Sequence, residues 1–291
     1  MSRSLIAGVN ALLRAKESAR PEGSRIVVDP FAERFVERDL RVRALRLLRY
    51  VVPPLRRTID ELQTAHCVRH RAIDELLLRA TSDAGVRQVV TLGAGYDMRP
   101  YRLRDRARGV RFLELDQRAT IDRKLRLLRA LHLREQRDVE RVAVDLMVTS
   151  LQRALAGTAF EPGAPTCFVL EGLIHYLNID RVHALLSAIR SLCPRPIALL
   201  SFIRDDVYLG AHPTFLALVR AVSEIPALSF GDGELERACA SHGLAVTARW
   251  TLEEQIEAFA PEARGRPRGL GQDVAQIELA RAEDPSAHGL P

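Results

Sequence analysis

The chain has 291 residues, of which 47% are hydrophobic, enough to bury the core of one large domain with additions. Charged residues make up 27%, as in ordinary soluble proteins, and no stretch approaches the roughly 18–20 consecutive apolar residues of a membrane span. The net charge of +6 comes almost entirely from arginines interleaved with acids, as in residues 137–141, which argues against a nucleic-acid partner.

The cysteines and the N-terminus indicate a reducing compartment. Cys67, Cys167, Cys193 and Cys239 form no Cys-x-x-Cys pair and lie too far apart for a disulfide framework or a zinc site, so we expect buried thiols and no metal. A signal peptide has an apolar core followed by a small-residue cleavage site, and residues 1–23 lack this pattern. A cytoplasmic protein is the expectation.

Helices are predicted for the first 80 residues. Apolar side chains fall near helical spacing among charged ones in the first part of this stretch, and Pro53-Pro54 ends it. A second helix is predicted from Leu55 to Ala80. We therefore predict a helical cap over residues 1–80 and a main domain over residues 81–291.

Short β-branched runs then alternate with helical patterns. Strands are predicted at 87–92, 110–115, 139–144, 166–170 and 196–202. Helices are predicted at 117–133, 148–155 and 179–192. This alternation predicts a parallel sheet with right-handed crossovers and a ligand at the carboxyl ends of its strands.

The last third of the chain adds a lid and a sheet edge. Residues 204–230 are irregular and predict a substrate lid, and residues 234–242 predict a helix. Residues 245–251 and 274–280 read as two late strands, which predict an antiparallel hairpin at the edge of the sheet.

A glycine-rich loop follows the first strand. Gly93 and Gly95 let the backbone approach a ligand closely, although a tight turn without a ligand has the same pattern. Met98 stands where the dinucleotide fingerprint Gly-x-Gly-x-x-Gly has its third glycine, which lowers the expectation of NAD or FAD.

Acidic residues follow the next three strands. Asp116 comes after the second, Asp145 after the third and Glu171 after the fourth. Glu114 and Asp116 share one side of their strand, so one of them is expected to bind ribose hydroxyls. Helix capping is the alternative for Asp116 and Asp145, and a structural ion pair for Glu171, whose buried carboxylate needs a cationic partner. Together with the glycine loop, the acids form one line across the sheet.

The run from Val89 to Leu103 resembles the signature of the leucine carboxyl methyltransferase family, in the bacterial branch linked to polyketide and other secondary-metabolite O-methylation. The motifs at 112–116, 144–146 and 171–177 match in the same order, and the resemblance covers residues 55–202. It implies an α/β fold of the Rossmann-like class I methyltransferase type. The sheet would be mostly parallel with an antiparallel edge hairpin, an N-terminal helical extension and a lid insertion.

The resemblance also implies S-adenosylmethionine as cofactor and S-adenosylhomocysteine as product. The family's Arg-Thr-x-x-x-Asp motif, whose arginine binds the methionine carboxylate, is matched best by Arg69 to Asp74, with His70 in place of Thr. Arg71 and Arg57 are competing candidates in the same helix. The other implied cofactor contacts are Gly93 and Gly95 along the methionine part, Asp97, Asp116 at the ribose, Asp145 and Leu146 around adenine, and Glu171 at the amino end.

Two positions depart from the family pattern: Met98 replaces a usual Thr, and His175 replaces a usual aliphatic residue or Met. Methyl transfer is an in-line displacement, for which a carboxylate is already ionised, whereas a phenol or alcohol benefits from a general base. His175 and Tyr176 are therefore the candidate catalytic residues, with a packing or capping role as the alternative for His175.

These features predict an O-methyltransferase that acts on the carboxylate of a small, secondary-metabolite-like molecule. The alternatives are a phenol or alcohol acceptor with His175 as base, a protein carboxyl group, or a non-catalytic binding subunit with this fold. Glu-Gly-Leu-Ile at 171–174, in place of an Asn-Pro-Pro-Tyr-like motif, argues against amino methylation of nucleic acid. We expect a small-molecule acceptor, no nucleic acid, no membrane, and a monomer or homodimer.

Overall fold

The protein is organised around one seven-stranded sheet. A computed structural model describes residues 3–51, 53–133, 136–209, 228–269 and 271–280. The strands are β1 Gln88–Leu92, β2 Arg111–Asp116, β3 Val139–Ala143, β4 Thr166–Leu170, β5 Ile197–Phe202, β6 Leu244–Trp250 and β7 Asp273–Leu279. Their order in the sheet is β3-β2-β1-β4-β5-β7-β6.

The first five strands are parallel, as predicted. β1 lies between β2 and β4, with Val90 beside Leu113 on one side and Phe168 on the other. Every residue of β1 and β4 is buried, because helices cover both faces of the sheet. The strand order reverses between β1 and β4, which is where α/β sheets open a crevice for ligands.

The last two strands form the predicted antiparallel hairpin. β7 pairs antiparallel with both β5 and β6, so that β6 becomes the edge of the sheet. The register of the hairpin shifts between Val246 and Ala248, an irregularity of the kind that bends edge strands.

Helices precede, connect and follow the strands. They are α1 Arg3–Ser18, α2 Ala32–Glu37, α3 Leu40–Val51, α4 Pro53–Asp83, α5 Arg99–Arg102, α6 Arg118–Ala130, α7 Leu151–Leu155, α8 Ile179–Leu192, α9 Asp205–Leu209, α10 Glu234–Ala240 and α11 Leu252–Phe259. α4 begins two residues before the predicted Leu55 because proline is tolerated in the first turn of a helix.

The core lies on both faces of the sheet. On one face Val90 and Phe168 belong to an apolar cluster with Leu185 of α8, and on the other Val89 belongs to one with Leu77 of α4. Because α4 leads into β1 from the opposite end of the sheet, its earlier residues lie toward the carboxyl ends of the strands.

The last third of the chain contains a helix that was not predicted. This helix, α11, was missed although Thr251 and Glu254 form a capping box that marks its start. The predicted lid, 204–230, begins with α9, and residues 210–227 lie outside the described residues. Within the described part of the chain, no helix is long and apolar enough to cross a membrane, and all four cysteines are free and buried.

Candidate functional site

A cleft opens at the carboxyl ends of β1, β2, β3 and β4. Its lining comes from the glycine loop, the ends of three strands and the N-terminal helix. These residues are Ile6, Ala7, Asn10, Gly93, Gly95, Asp116, Gln117, Thr120, Val144, Leu146, Met147, Glu171, Gly172, Leu173, Tyr176 and Leu177. A narrower extension continues past Glu171 to Arg14, His66, Arg69, His70 and Asp97. The cleft is therefore apolar at one end and strongly charged at the other.

The glycine loop forms the floor between the two ends. Gly93 has a φ of +72° and Gly95 a φ of +50°. Residues other than glycine rarely adopt this left-handed backbone conformation. A Cβ on Gly93 would lie 3.1 Å from the Cδ1 atom of Leu173, and one on Gly95 would lie 3.4 Å from Ala7. Both positions are thus restricted to glycine by their backbone conformation, and Gly93 is restricted also by the nearby Leu173 side chain.

The two acids of β2 have different roles. Asp116 lines the cleft, where its carboxylate accepts hydrogen bonds from the backbone N–H of Gly95 at 2.6 Å and of Gln117 at 2.7 Å. Glu114 is buried between Lys124 at 2.7 Å and Arg141 at 2.9 Å. Of the two, Asp116 is the one that faces the cleft, and burial raises its pKa.

The structure separates Asp145 from Leu146. Asp145 is exposed, its carboxylate accepts the backbone N–H of Met147 at 2.9 Å, and it is not one of the described residues that line the cleft. Leu146 is buried and does line it, together with Val144 and Met147. The apolar side chains of this turn, rather than its acid, face the site.

Glu171 lies at the centre of the charged end. Its Oε1 atom is 3.1 Å from Nε of Arg69, and its Oε2 atom accepts from Nη2 of Arg99 at 2.7 Å and lies 3.0 Å from Nδ1 of His70. Burial acts to raise the pKa of Glu171, but the electrostatic interactions with His70, Arg99 and Arg69, together with the hydrogen bond from His70, outweigh it and hold the pKa well below its usual value. Glu171 is therefore an ionised carboxylate.

Of the three arginines proposed for the methionine carboxylate, the structure brings only Arg69 to the cleft. Arg69 is buried, and its Nη2 atom lies 2.8 Å from Nδ1 of His66. Arg57 is 82% exposed and pairs with Glu61 at 2.9 Å. Arg71 faces outward and pairs with its α4 neighbour Glu75 at 3.2 Å.

Arg99, which the sequence analysis did not identify as a site residue, forms ion pairs with three carboxylates at the charged end. It is 1% exposed, and donates to Asp74 at 2.6 Å and Asp97 at 2.7 Å in addition to Glu171. Although burial works in the other direction, these three carboxylates raise its pKa well above the usual value. Asp97 lines the cleft but is committed to Arg99 and its backbone, and its pKa is lowered.

The two candidate catalytic residues differ in whether they line the cleft. Tyr176 lines the cleft, whereas His175 is 2% exposed and is not among the described residues that line it. The two rings lie 4.3 Å apart between centroids. Burial, with a smaller contribution from Arg69, lowers the pKa of His175 to about 3. The structure thus brings Tyr176, and not His175, into the site.

The N-terminal helix contributes side chains that the sequence reasoning missed. Ile6, Ala7 and Asn10 of α1 line the cleft, and Arg14 reaches the charged end, where its Nη2 donates to the carbonyl of Tyr96 at 2.8 Å. Helical spacing predicted α1, but nothing in the pattern indicated that it packs across the glycine loop.

The fold is shared with a solved methyltransferase. The structure of a candidate methyltransferase from Thermobifida fusca covers 84% of this chain and 90% of its own, with a TM-score of 0.56 and 16% sequence identity. Together with the strand order, this likeness defines the class I methyltransferase fold that the motifs predicted.

The chain belongs to the leucine carboxyl methyltransferase family, whose model matches residues 7–190. It is 33% identical over 194 residues to a candidate S-adenosyl-L-methionine-dependent methyltransferase of Saccharopolyspora erythraea, and 40% identical over 122 residues to one of Streptomyces avermitilis. These matches cover 64% and 42% of this chain, and 62% and 42% of the relatives. The predicted family is confirmed, and the cofactor of this family is S-adenosylmethionine.

Proposed function

We propose that the protein is an S-adenosylmethionine-dependent O-methyltransferase that methylates the carboxylate of a small, mainly apolar molecule of the secondary-metabolite type. The observation that favours a carboxylate as the methyl acceptor concerns His175. This residue is buried away from the cleft, and its pKa is lowered to about 3. An acceptor that is already ionised near neutral pH fits a site in which this histidine supplies no base.

The residues of the cleft fit the cofactor. Gly93 and Gly95 bring the backbone to the surface of the cleft, and Asp116 offers carboxylate oxygens beside them for ribose hydroxyls. Glu171 and Arg69 would hold the amine and the carboxylate of the methionine part, and Leu146 would pack on adenine. When bound, S-adenosylmethionine supplies a methyl group on a sulfonium, which is electrophilic without a metal or redox partner.

The apolar end suits the acceptor. The lining of the cleft includes the apolar side chains of Leu173, Leu177, Ile6 and Met147, with the ring of Tyr176 beside them. An acceptor with an apolar body would bury that body here, at about 25 cal/mol per Å² of apolar surface removed from water.

The chemical step needs positioning more than acid or base chemistry. One oxygen of the acceptor carboxylate forms a bond to the methyl carbon as the bond from carbon to sulfur breaks, and the electron pair of that bond stays on sulfur. The products are a methyl ester and S-adenosylhomocysteine, and no proton moves. The chain's contribution is to hold both partners in line and to exclude water, which are large effects in bimolecular reactions.

The test uses S-adenosylmethionine carrying a labelled methyl group and matched pairs of small acceptors, each pair an aryl or alkyl carboxylic acid and the corresponding phenol or alcohol. We expect label in the acids, released as methanol by mild alkali because methyl esters hydrolyse and ethers do not. A label that survives alkali would replace this proposal with hydroxyl methylation. Absence of S-adenosylhomocysteine binding would favour a non-catalytic subunit.

A further inference from the structure

His70 connects Glu171 to an arginine on its far side. Its ring is buried, with Nδ1 3.0 Å from Oε2 of Glu171 and Nε2 2.7 Å from Nη2 of Arg102. The ring lies between α4, which carries it, and α5, which carries Arg102. Both ring nitrogens are therefore used, and on opposite edges.

The chemistry of the partners determines the tautomer. A guanidinium only donates hydrogen bonds, so Nε2 must accept from Arg102, and the proton of the neutral ring is on Nδ1. Nδ1–H then donates to Glu171. Nη2 of Arg99 also lies 3.0 Å from Nδ1, but its two hydrogens are used by Oε2 of Glu171 at 2.7 Å and by the backbone carbonyl of His70 at 3.1 Å.

This arrangement holds Glu171 mainly through one of its oxygens. Oε2 accepts from Arg99 at 2.7 Å and is the nearer oxygen to Nδ1 of His70, at 3.0 Å against 3.3 Å for Oε1, while Oε1 lies 3.1 Å from Nε of Arg69. A ligand amine at Oε1 can therefore replace Arg69 without loosening the carboxylate. The threonine that the family motif has here is shorter and has its donor and its acceptor on one oxygen atom, whereas histidine separates them on two ring nitrogens.

We propose that neutral His70 is a positioning residue for the cofactor, orienting Glu171 through its link to Arg102. This rests on the proposed function, since the group that Oε1 would hold is the methionine amine. The charged and titratable groups around the ring are Glu171, Asp74, Arg99, Arg102 and, stacked at 5.8 Å, His66. A proton added at Nε2 would point at the Arg102 guanidinium and break the link.

Two variants separate orientation from packing. His70→Gln keeps one donor and one acceptor and does not titrate, whereas His70→Leu keeps bulk and removes both. Calorimetry with S-adenosylhomocysteine should give affinity within about 3-fold of wild type for His70→Gln and about 10- to 100-fold weaker for His70→Leu. His183→Gln, outside the cleft, is the matched control and should bind as wild type.

The pH profile is the readout that packing would not move. At acidic pH, wild type should lose affinity more steeply than His70→Gln, because only wild type protonates the ring, and it does so below the ordinary histidine range since burial and Arg99 lower the pKa of His70. Titration of Asp116 contributes equally to both proteins, so the difference isolates His70.

The outcomes separate the two claims. If wild type fails to bind S-adenosylhomocysteine, the proposed function fails. If wild type binds, a His70→Leu affinity equal to wild type overturns the role of His70. Where His70→Leu does not fold, coinciding pH profiles of wild type and His70→Gln overturn it, and a steeper wild-type profile supports it.

Discussion

Two buried groups of acids and arginines differ in how well they are paired. Around Arg99 the charged atoms of Asp74, Asp97 and Glu171 lie 2.6–2.7 Å away. Near the start of β7, by contrast, the Oδ2 atom of Asp273 is 3.9 Å from Nε of Arg204 and 4.0 Å from that of Arg249. It has no hydrogen-bond partner among the described residues.

The pKa of the buried aspartate is shifted in opposite directions in the two groups, although both contain the same residue types. Burial acts to raise the pKa of Asp74, but Arg102 and Arg99 outweigh it and the pKa is strongly lowered. Burial raises the pKa of Asp273 to about 6, because its arginines are partly exposed and too distant to compensate. A guanidinium stabilises a buried acid only when the fold holds it in contact. The group at Glu171 is preorganised for a charged ligand, and the group at Asp273 is not.

Breaking the well-paired group should have the largest effect. Glu171→Gln keeps the shape of the side chain but leaves Arg99 and Arg69 with one carboxylate fewer. Affinity for S-adenosylhomocysteine should fall on the order of 100-fold and the melting temperature should drop, since breaking a buried ion pair costs about 3–5 kcal/mol. Calorimetry and thermal denaturation measure the two effects.

A matched variant on the surface of α4 is the control for this prediction. Glu75→Gln removes an acid that pairs with the partly exposed Arg71 and Arg106. Such pairs contribute about 0–1 kcal/mol, so both affinity and melting temperature should stay near wild type. If Glu171→Gln behaved like Glu75→Gln, the contrast drawn above would be wrong.

Neutralising the poorly paired acid should stabilise the protein. The folded pKa of Asp273 lies near 6, above the roughly 3.9 of an unfolded aspartate, so its ionisation opposes folding. The penalty is absent below about pH 4 and full above about pH 7. Asp273→Asn should gain about 2–3 kcal/mol in urea unfolding near pH 7.5 and little near pH 4. A loss of stability at both pH values would contradict this.

The cleft acids offer a smaller contrast of the same kind. Asp116→Asn should weaken S-adenosylhomocysteine binding about 10-fold, because a charged acceptor beside the ribose position is lost. Asp145→Asn should change it by less than about 2-fold, since Asp145 is exposed and bonds its own turn. Equal losses for the two variants would place adenine against Asp145 after all.

A small effect is also expected at His175. Nδ1 of His175 has no hydrogen-bond partner among the described residues, so His175→Leu replaces a buried neutral ring with an apolar side chain of similar size. Methyl transfer to a carboxylate should change by less than about 3-fold. A general base would instead contribute about 10²- to 10⁴-fold, and a loss of that size in an acceptor assay would restore its catalytic role.

The sequence predicted the sheet better than the site. All seven strands lie within a residue or so of their predicted bounds, because short apolar runs ended by glycines and acids are local signals. Strand alternation placed Glu114 and Asp116 on the same side and could not choose between them, and the choice of Asp116 came from the family resemblance.

What could not be predicted depends on packing between distant segments. Arg69 was one of three candidates because they share a helix, and only the placement of α4 against β4 separates Arg69 from Arg57. The turn at 171–177 buries His175 and exposes Tyr176 to the cleft, and no periodicity governs such a turn. Roles of these residues with ligand remain predictions.

The central claim is that the charged end of the cleft binds the methionine part of S-adenosylmethionine. A crystal structure of the complex with S-adenosylhomocysteine tests it most directly. We predict the amine on Oε1 of Glu171, the carboxylate on Arg69 and the ribose on Asp116. A ligand bound with its methionine part away from Glu171, or outside this cleft, would contradict the account.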